Sequence, residues 1–378
     1  MKVSDILEEY KELPSHENLE VLTLTEKNGF VPQADRFHKR LATQDTSKYR
    51  VVNTGDFAYN PYLLWAGAIA VNERPDPGII SPVYPTFRLK EGFDPGYIFA
   101  LLLSPLMLKR YDTISYGSVP RRRRAATKDF LNLTVPDIPP LEEQQRIATI
   151  LGTVEEAITD ATTTFESISA LRQSVFKKFV RPDHPTQELG EIVSIQSGGT
   201  PSKKKPEYWG GDIPWYSPKD FKARYLSDSI DHITELAVSN ANAKILPGRT
   251  PAVVVRGMIL AHSFPVAVLE TPGAINQDVK ALHLNEDSIY SVDFLAEALR
   301  ANAQYALTKV LTSSHGTKRL ETQELAKLPI PVMSKDDIKE FDRVFSCLTE
   351  LANYRQEKMN RLHELYASLS SRAFSGEL

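Results

Sequence analysis

The sequence predicts a mixed α/β (α+β) protein of two globular domains, built as an internal repeat and separated by two long helices. Three observations carry this. First, residues 141–180 place apolar or small side chains at Ile147, Leu151, Val154, Ile158, Ala161, Phe165 and Ile168, in alternating steps of four and three. That is a heptad seam, made to lie against another helix, and forty helical residues reach about 60 Å. Second, the pattern returns at Ile338, Phe341, Phe345, Leu348, Ala352, Arg355, Met359, Leu362, Tyr366, Leu369 and Ala373, with Arg355 as a single polar, register-setting member. Third, the same string of elements precedes each helix. At an offset of 195, Phe130 matches Leu325, Leu133 matches Leu328, Val135 matches Ile330 and Pro136 matches Pro331.

Taken in order, residues 3–13 read as a short amphipathic helix and 19–25 as a strand ended by Asn28-Gly29. Residues 49–52 and 57–59 read as strands around a turn at 53–56, followed by short strands at 68–71, near Val83, and at 86–89. Residues 93–111 read as helix, with Asp94 as cap and Pro95 in the first turn. Residues 291–310 repeat that helix, and the glycine-containing loops 115–126 and 313–323 follow the two helices. In the second half strands are expected at 252–256, 266–269 and 280–284. The expected organisation is a first domain over 1–139, a long helix over 140–180, a second domain over 181–333 and a long helix over 334–378.

Composition agrees with a folded chain: 42% hydrophobic and 25% charged residues. The single cysteine, Cys347, excludes a disulfide framework and fits a reducing cytoplasm. The N-terminus is acidic and polar, unlike a signal peptide, and the longest apolar run, 97–108, is too short to span a bilayer. Net charge is −3, yet Arg121, Arg122, Arg123, Arg124 and Lys128 crowd one loop and Lys203, Lys204 and Lys205 another. Local fields of this kind, more than totals, decide polyanion binding.

Catalytic patterns are missing. There is no phosphate loop, no H-E-x-x-H, no nucleophile elbow, and the histidines stand singly. Glu9-Tyr10-Lys11 has no acidic strand before it to make a nuclease centre. Tyr59-Asn60-Pro61-Tyr62 approximates the loop with which adenine-N6 methyltransferases hold their target amine, but it lacks one proline and any glycine-rich cofactor turn upstream. Turn punctuation is the better reading of it.

Several stretches carry a family resemblance. They are Pro139 to Ala148 (PPLEEQQRIA), Ala373 to Leu378 (AFSGEL), Gly198-Gly199-Thr200-Pro201 with Ile213-Pro214-Trp215, Asn276-Gln277-Asp278, Gly316-Thr317-Lys318-Arg319, and Tyr49 to Pro61. In that order, over essentially the whole chain, they resemble the specificity subunit of a type I restriction–modification system. The first half lacks the Gly-Gly-Thr-Pro opening. The resemblance implies two target-recognition domains held by an antiparallel coiled coil, each reading one part of a bipartite double-stranded DNA site. It implies a cytoplasmic subunit that is no enzyme itself and has no membrane partner. Two methyltransferase subunits would dock on it, and restriction–translocase subunits would join them; S-adenosylmethionine, ATP and magnesium would sit on those partners.

On this view the DNA contacts are Tyr116, Ser118, Arg121, Arg122, Arg123, Arg124, Lys203, Lys204, Lys205, Trp215, Tyr216, Ser217, Lys219, Asn276, Gln277, His315, Thr317, Lys318 and Arg319. The helix pair would meet through Ile147, Leu151, Val154, Ile158, Phe165, Ile168, Phe341, Phe345, Leu348, Met359, Leu362 and Leu369. A protein-binding coiled-coil adaptor and a fused methyltransferase or nuclease stay open as alternatives.

Overall fold

The computed structural model describes the chain except residues 16–18, 26–28, 37–44, 118–122, 182, 242 and 314–315. It divides into two compact units, Met1–Thr163 with Glu357–Leu378, and Thr164–Gln356, so the division falls inside both long helices.

In the first unit the chain runs α1 (Val3–Ile6), β1 (Leu7–Tyr10), β2 (Glu20–Leu24), β3 (Phe30–Pro32), α2 (Gln33–Arg36), β4 (Arg50–Val52), β5 (Phe57–Tyr59), β6 (Ile69–Val71), β7 (Gly78–Ile80) and β8 (Thr86–Leu89). Then come α3 (Pro95–Leu102), α4 (Pro105–Ile114), β9 (Ser115–Tyr116), β10 (Arg124–Ala125), α5 (Thr127–Asn132) and the long α6 (Leu141–Phe179). One sheet has the order β1-β8-β5-β6, the other β3-β2-β7-β4. The opening helix is shorter than its amphipathic pattern implies. It stops at Ile6 because Leu7 to Tyr10 pair with Leu89 to Thr86, and a sheet ladder outweighs a weak local propensity. Val83 lies in a turn, and the strand of that region is β7. Asp94 caps α3 by accepting from the Tyr97 amide at 2.8 Å; Ser104 and Pro105 break the expected single helix into α3 and α4. The core gathers Tyr59, Phe87, Tyr111 and Phe130, with ring centroids 4.8–5.9 Å apart.

The second unit continues with β11 (Thr186–Glu188), α7 (Leu189–Ile192), β12 (Val193–Ser197), β13 (Trp209–Tyr216), β14 (Tyr225–Leu226), β15 (Asp231–Ile233), α8 (Glu235–Asn240), β16 (Thr250–Val254), β17 (Val266–Leu269), β18 (Ala274–Ile275) and β19 (Val279–Leu284). It closes with α9 (Val292–Ala301), α10 (Ala303–Thr308), β20 (Leu311–Thr312), β21 (Lys318–Arg319), α11 (Thr322–Ala326), β22 (Pro329–Pro331) and α12 (Lys335–Ser375). Its main sheet has the order β12-β19-β16-β17-β14. The first four strands correspond one for one to β1-β8-β5-β6, and α9, α10, the β20–β21 hairpin and α11 follow as α3, α4, β9–β10 and α5 do. The repeat read from the sequence is therefore a repeat of topology. Gly198 is required where it stands: a Cβ there would lie 1.9 Å from the Ile275 carbonyl oxygen.

The long helices run antiparallel within each unit. In the second, Phe341 meets Phe176 and Phe179 at 6.1 and 5.7 Å, while Arg172 Nη2 donates to the Leu348 carbonyl at 3.4 Å. In the first, Ile147 and Leu151 share a core with Ala373 and Phe374, and the Tyr366 hydroxyl donates to Glu155. Of the seam, Ile147, Leu151, Val154, Ile168, Phe341 and Phe345 are buried; Ile158, Phe165, Leu348, Met359, Leu362 and Leu369 are half-buried. Arg355 is half-buried too, and Arg172 is a second, fully buried arginine on that surface. No helix among the described residues is long and apolar enough to cross a membrane.

Candidate nucleic-acid interface

The same small constellation ends both units. Each has a two-residue hairpin ladder carrying arginine, tied to a short 3-10 turn that has an exposed apolar or aromatic side chain in it or just before it. In the second unit the hairpin is β20–β21, and the turn is Met258–Ala261. Gly257 N donates to the Lys318 carbonyl at 3.0 Å, Leu320 N to the Val255 carbonyl at 2.8 Å, and Arg256 bridges Arg319. Met258 is 64% exposed, and Ile259 is exposed beside it. In the first unit the hairpin is β9–β10, and the turn is Leu64–Ala66; Ala125 N donates to the Pro61 carbonyl at 2.9 Å. Tyr62 is exposed there, and Tyr116 is 65% exposed.

Around β21 the cations converge. Arg256, Lys280 and Arg319 lie close enough that the two guanidiniums, after burial as the larger cause, hold the Lys280 ammonium below its ordinary range. Among the described residues two carboxylates answer these three cations: Asp278 stands 3.6 Å from Arg256, and Glu321 pairs Arg319 at 2.9 Å. Lys280 donates to Ser197 Oγ, and Lys318 to Thr312 Oγ1 at 2.7 Å. A cluster of mutually repelling cations is relieved by a bound polyanion. Arg256 and Lys280 were not singled out in the sequence, because they stand 24 residues apart; the one local signal was the Arg256-Gly257 step, where Gly257 takes φ 137°.

The expected contacts divide sharply. Ser118, Arg121, Arg122 and His315 lie outside the described residues. Arg123 is used internally: Nε donates to the Ser115 carbonyl at 3.0 Å, Nη2 to the Asp112 carbonyl at 2.6 Å, and Nη1 pairs Asp112 Oδ1 at 2.7 Å. Its guanidinium lies 5.8 Å over the Trp65 ring. Arg124 is exposed. Lys203, Lys204 and Lys205 are exposed, with Lys203 6.0 Å over Trp209 and Lys205 bonded to the Tyr208 hydroxyl at 3.0 Å.

Trp215 and Tyr216 are core residues instead of base contacts. Trp215 Nε1 donates to the Gly199 carbonyl at 3.0 Å, and Tyr216 packs under β16 and β17. Ser217 is buried as the partner of Asp220, and Lys219 pairs Asp231 at 2.6 Å. Asn276 is buried and accepts from the Asp278 amide at 2.9 Å, so it shapes the turn that leaves Gln277 exposed; Gln277 accepts from Thr200 at 2.5 Å. Thr317 is half-buried in the hairpin loop. In the Tyr59-Asn60-Pro61-Tyr62 stretch, Asn60 is buried, its Oδ1 taking the Tyr62 amide at 3.0 Å and its Nδ2 donating to the Tyr84 hydroxyl at 3.0 Å. That asparagine makes a turn.

The architecture defines a class: a repeated α/β module with a basic hairpin, each copy packed on its own stretches of two long helices. Residues 184–360 match the family described as the type I restriction modification DNA specificity domain. The chain is 31% identical over 189 residues to the EcoR124I/EcoR124II specificity subunit of Escherichia coli, covering 48% of this chain and 46% of that one. It is 28% identical over 188 residues to the MjaIX specificity subunit of Methanocaldococcus jannaschii, covering 49% and 42%. These alignments thus span less than half the length of either relative. Among solved structures, the S subunit of the type I system of M. genitalium matches at TM-score 0.60 and 14% identity, over 99% of this chain and 95% of that one. A chain from a study of complex assembly in the type I R-M system matches at 0.53 and 15%, over 100% and 97%. Residues 184–360 are thus similar to a type I restriction modification DNA specificity domain, and the chain as a whole shares the fold of the M. genitalium S subunit.

Proposed function

We propose that this chain reads a bipartite double-stranded DNA site, one part with each unit, and delivers methyltransferase subunits to it. The observation that carries the reading is the repeated arginine-bearing hairpin tied to a 3-10 turn, with exposed Tyr62 and Tyr116 beside it in the first unit and exposed Met258 and Ile259 in the second. Arg256, Lys280, Lys318 and Arg319 supply phosphate contacts in the second unit, and Arg124 with Tyr116 the corresponding edge of the first. Phosphate contacts fix register, and the exposed turns and Gln277 are placed to meet base edges. The helices α6 and α12 have charged outer faces on which two adenine-N6 methyltransferase subunits dock. Those subunits bring S-adenosylmethionine and the chemistry, and restriction–translocase subunits with ATP and magnesium join through them, in the cytoplasm. This chain itself contributes recognition and positioning, with no catalytic step.

The test is methylome sequencing of the host with and without this gene. One split adenine-methylated motif should vanish on deletion and return on complementation. An unchanged methylome, with purified complex that binds DNA no better than the methyltransferase alone, would leave the chain as a protein adaptor.

A further inference from the structure

Each unit holds a cleft between its α/β part and the long helices, and the two clefts are copies with different charge. The first, of about 700 Å³, is lined by Val71, Leu103, Ile158, His363 and Tyr366 among others. The second, of about 560 Å³, is lined by Val266, Arg300, Ala352, Ser169 and Arg172 among others. The helix starts at Leu141 and Lys335 set an offset of 194, under which Ile158 becomes Ala352, Ser169 becomes His363 and Arg172 becomes Tyr366. The helix caps Asp94 and Ser291 superpose Leu103 on Arg300. Val71 pairs with Phe57 as Val266 pairs with Val253.

The wall is repeated but the electrostatics are not. The first cleft carries Glu73, Arg74, Glu155 and His363; Arg74 is paired with Glu20, and Glu155 accepts from Tyr366. The second carries Arg172, Lys222, Arg224 and Arg300 and, among the described residues, no lining carboxylate. Glu297, buried behind it, is shared by Arg224 and Arg300. Arg172 is 3% exposed, its Nε has no partner, and among the described residues no carboxylate pairs it. Lys222 stands exposed at the rim, its ammonium without a partner among the described residues. Glu297 and Asp293 act on this guanidinium only from a distance, a buried guanidinium without a carboxylate in contact is costly, and Tyr366 shows that this fold accommodates a neutral side chain at the same position. The charge is therefore an addition to the cleft and no requirement of its architecture.

We infer that the second unit's cleft is a receptor for an acidic side chain of a docked methyltransferase subunit, and that its counterpart takes none. The inference rests on the proposed docking role, since both long helices wall the cleft. Its consequence is asymmetry: two copies of one partner are held unequally by a repeated chain.

The test is titration of this chain with its methyltransferase, read by native mass spectrometry as species with no, one and two copies bound. In the wild type one step should weaken with salt more than the other. Arg172→Gln with Lys222→Gln should weaken one step about tenfold and leave the other unchanged, the order of effect for losing a close charge pair across an interface. Lys222→Gln alone, at an exposed position that does not threaten folding, should weaken the same step. Two equal steps in every variant, or both steps falling together, would overturn the inference. So would protection of the isolated wild-type chain, but not of the double variant, by millimolar inorganic phosphate, which would make the cleft a free-phosphate site. A wild type that binds no methyltransferase would defeat the docking reading itself, and the inference with it.

Discussion

Removing the converging cations of the second unit should change the salt dependence of DNA binding by a calculable amount. The variant is Arg256→Gln, Lys280→Gln and Arg319→Gln together. Each phosphate contact contributes a slope of about −0.9 in log K against log salt on duplex DNA, so three contacts contribute about −2.7. Between 50 and 200 mM salt the wild type should then lose about 40-fold more affinity than the triple variant. The folded chain should barely notice. The ion pairs given up, with Asp278 and Glu321, are partly exposed and of the kind that contribute little to stability. Relief of the mutual repulsion that depresses Lys280 offsets part of that loss. The assay is filter binding or fluorescence anisotropy with the assembled methyltransferase complex on a duplex carrying its methylated motif, across a salt series, with thermal melting as the folding control. A normal melt with an unchanged slope would show that the β20–β21 edge faces solvent in the complex, and the interface would have to be sought elsewhere.

Phe341→Ala removes a fully buried ring within 5.0–6.1 Å of Phe176, Phe179, Phe294 and Phe345. It should cost about 3–5 kcal/mol in denaturant unfolding. Asp342 is pushed up by burial, against a Ser291 hydrogen bond that pulls the other way. A carboxyl whose folded pKa is raised is at no disadvantage while protonated and destabilises once ionised, so its contribution is lost as pH rises through the folded value. Asp342→Asn should therefore melt higher than wild type at neutral pH and converge with it on acidification; a variant that melts lower at neutral pH would contradict the sign. Four residues inserted after Thr163 lengthen α6 by about 6 Å, nearly two base-pair steps at about 3.4 Å, and slip the heptad by a stutter. If α6 sets the distance between the two half-sites, the methylated motif should keep both halves and gain spacer; an active complex with the original spacing would show that it does not.

Much of the scaffold was legible in the sequence because it rests on local rules. The four-and-three spacing from Ile147 to Ile168 and from Phe341 to Ala373 fixes which face of each helix is buried, whatever it meets. Asp94-Pro95 starts α3 through an atom three residues away, whereas the Ser104-Pro105 break lay inside a stretch read as one helix. The repeat was visible because duplicated elements keep their order and nearly their spacing. Tertiary structure decided the rest, and for one reason: a charge or a ring acquires its role from groups distant in sequence. Arg123 belonged to a conspicuous basic run, yet Asp112 and two carbonyls take up its guanidinium. Trp215 and Tyr216 looked like base-stacking aromatics until Ile233 and Ala274 packed around the first and strands β16 and β17 around the second. Residues 3–13 carried a helical pattern, and pairing with β8, some eighty residues on, turned half of it into strand. Arg256, Lys280 and Arg319 carry no shared pattern in the chain; the β16–β19 ladder and the bridge to β21 bring them together. Arg172 is the sharpest case. On the sequence it is one arginine past the end of a seam, and only the packing of α12 and β14 around it makes it a buried cation with no carboxylate in contact among the described residues.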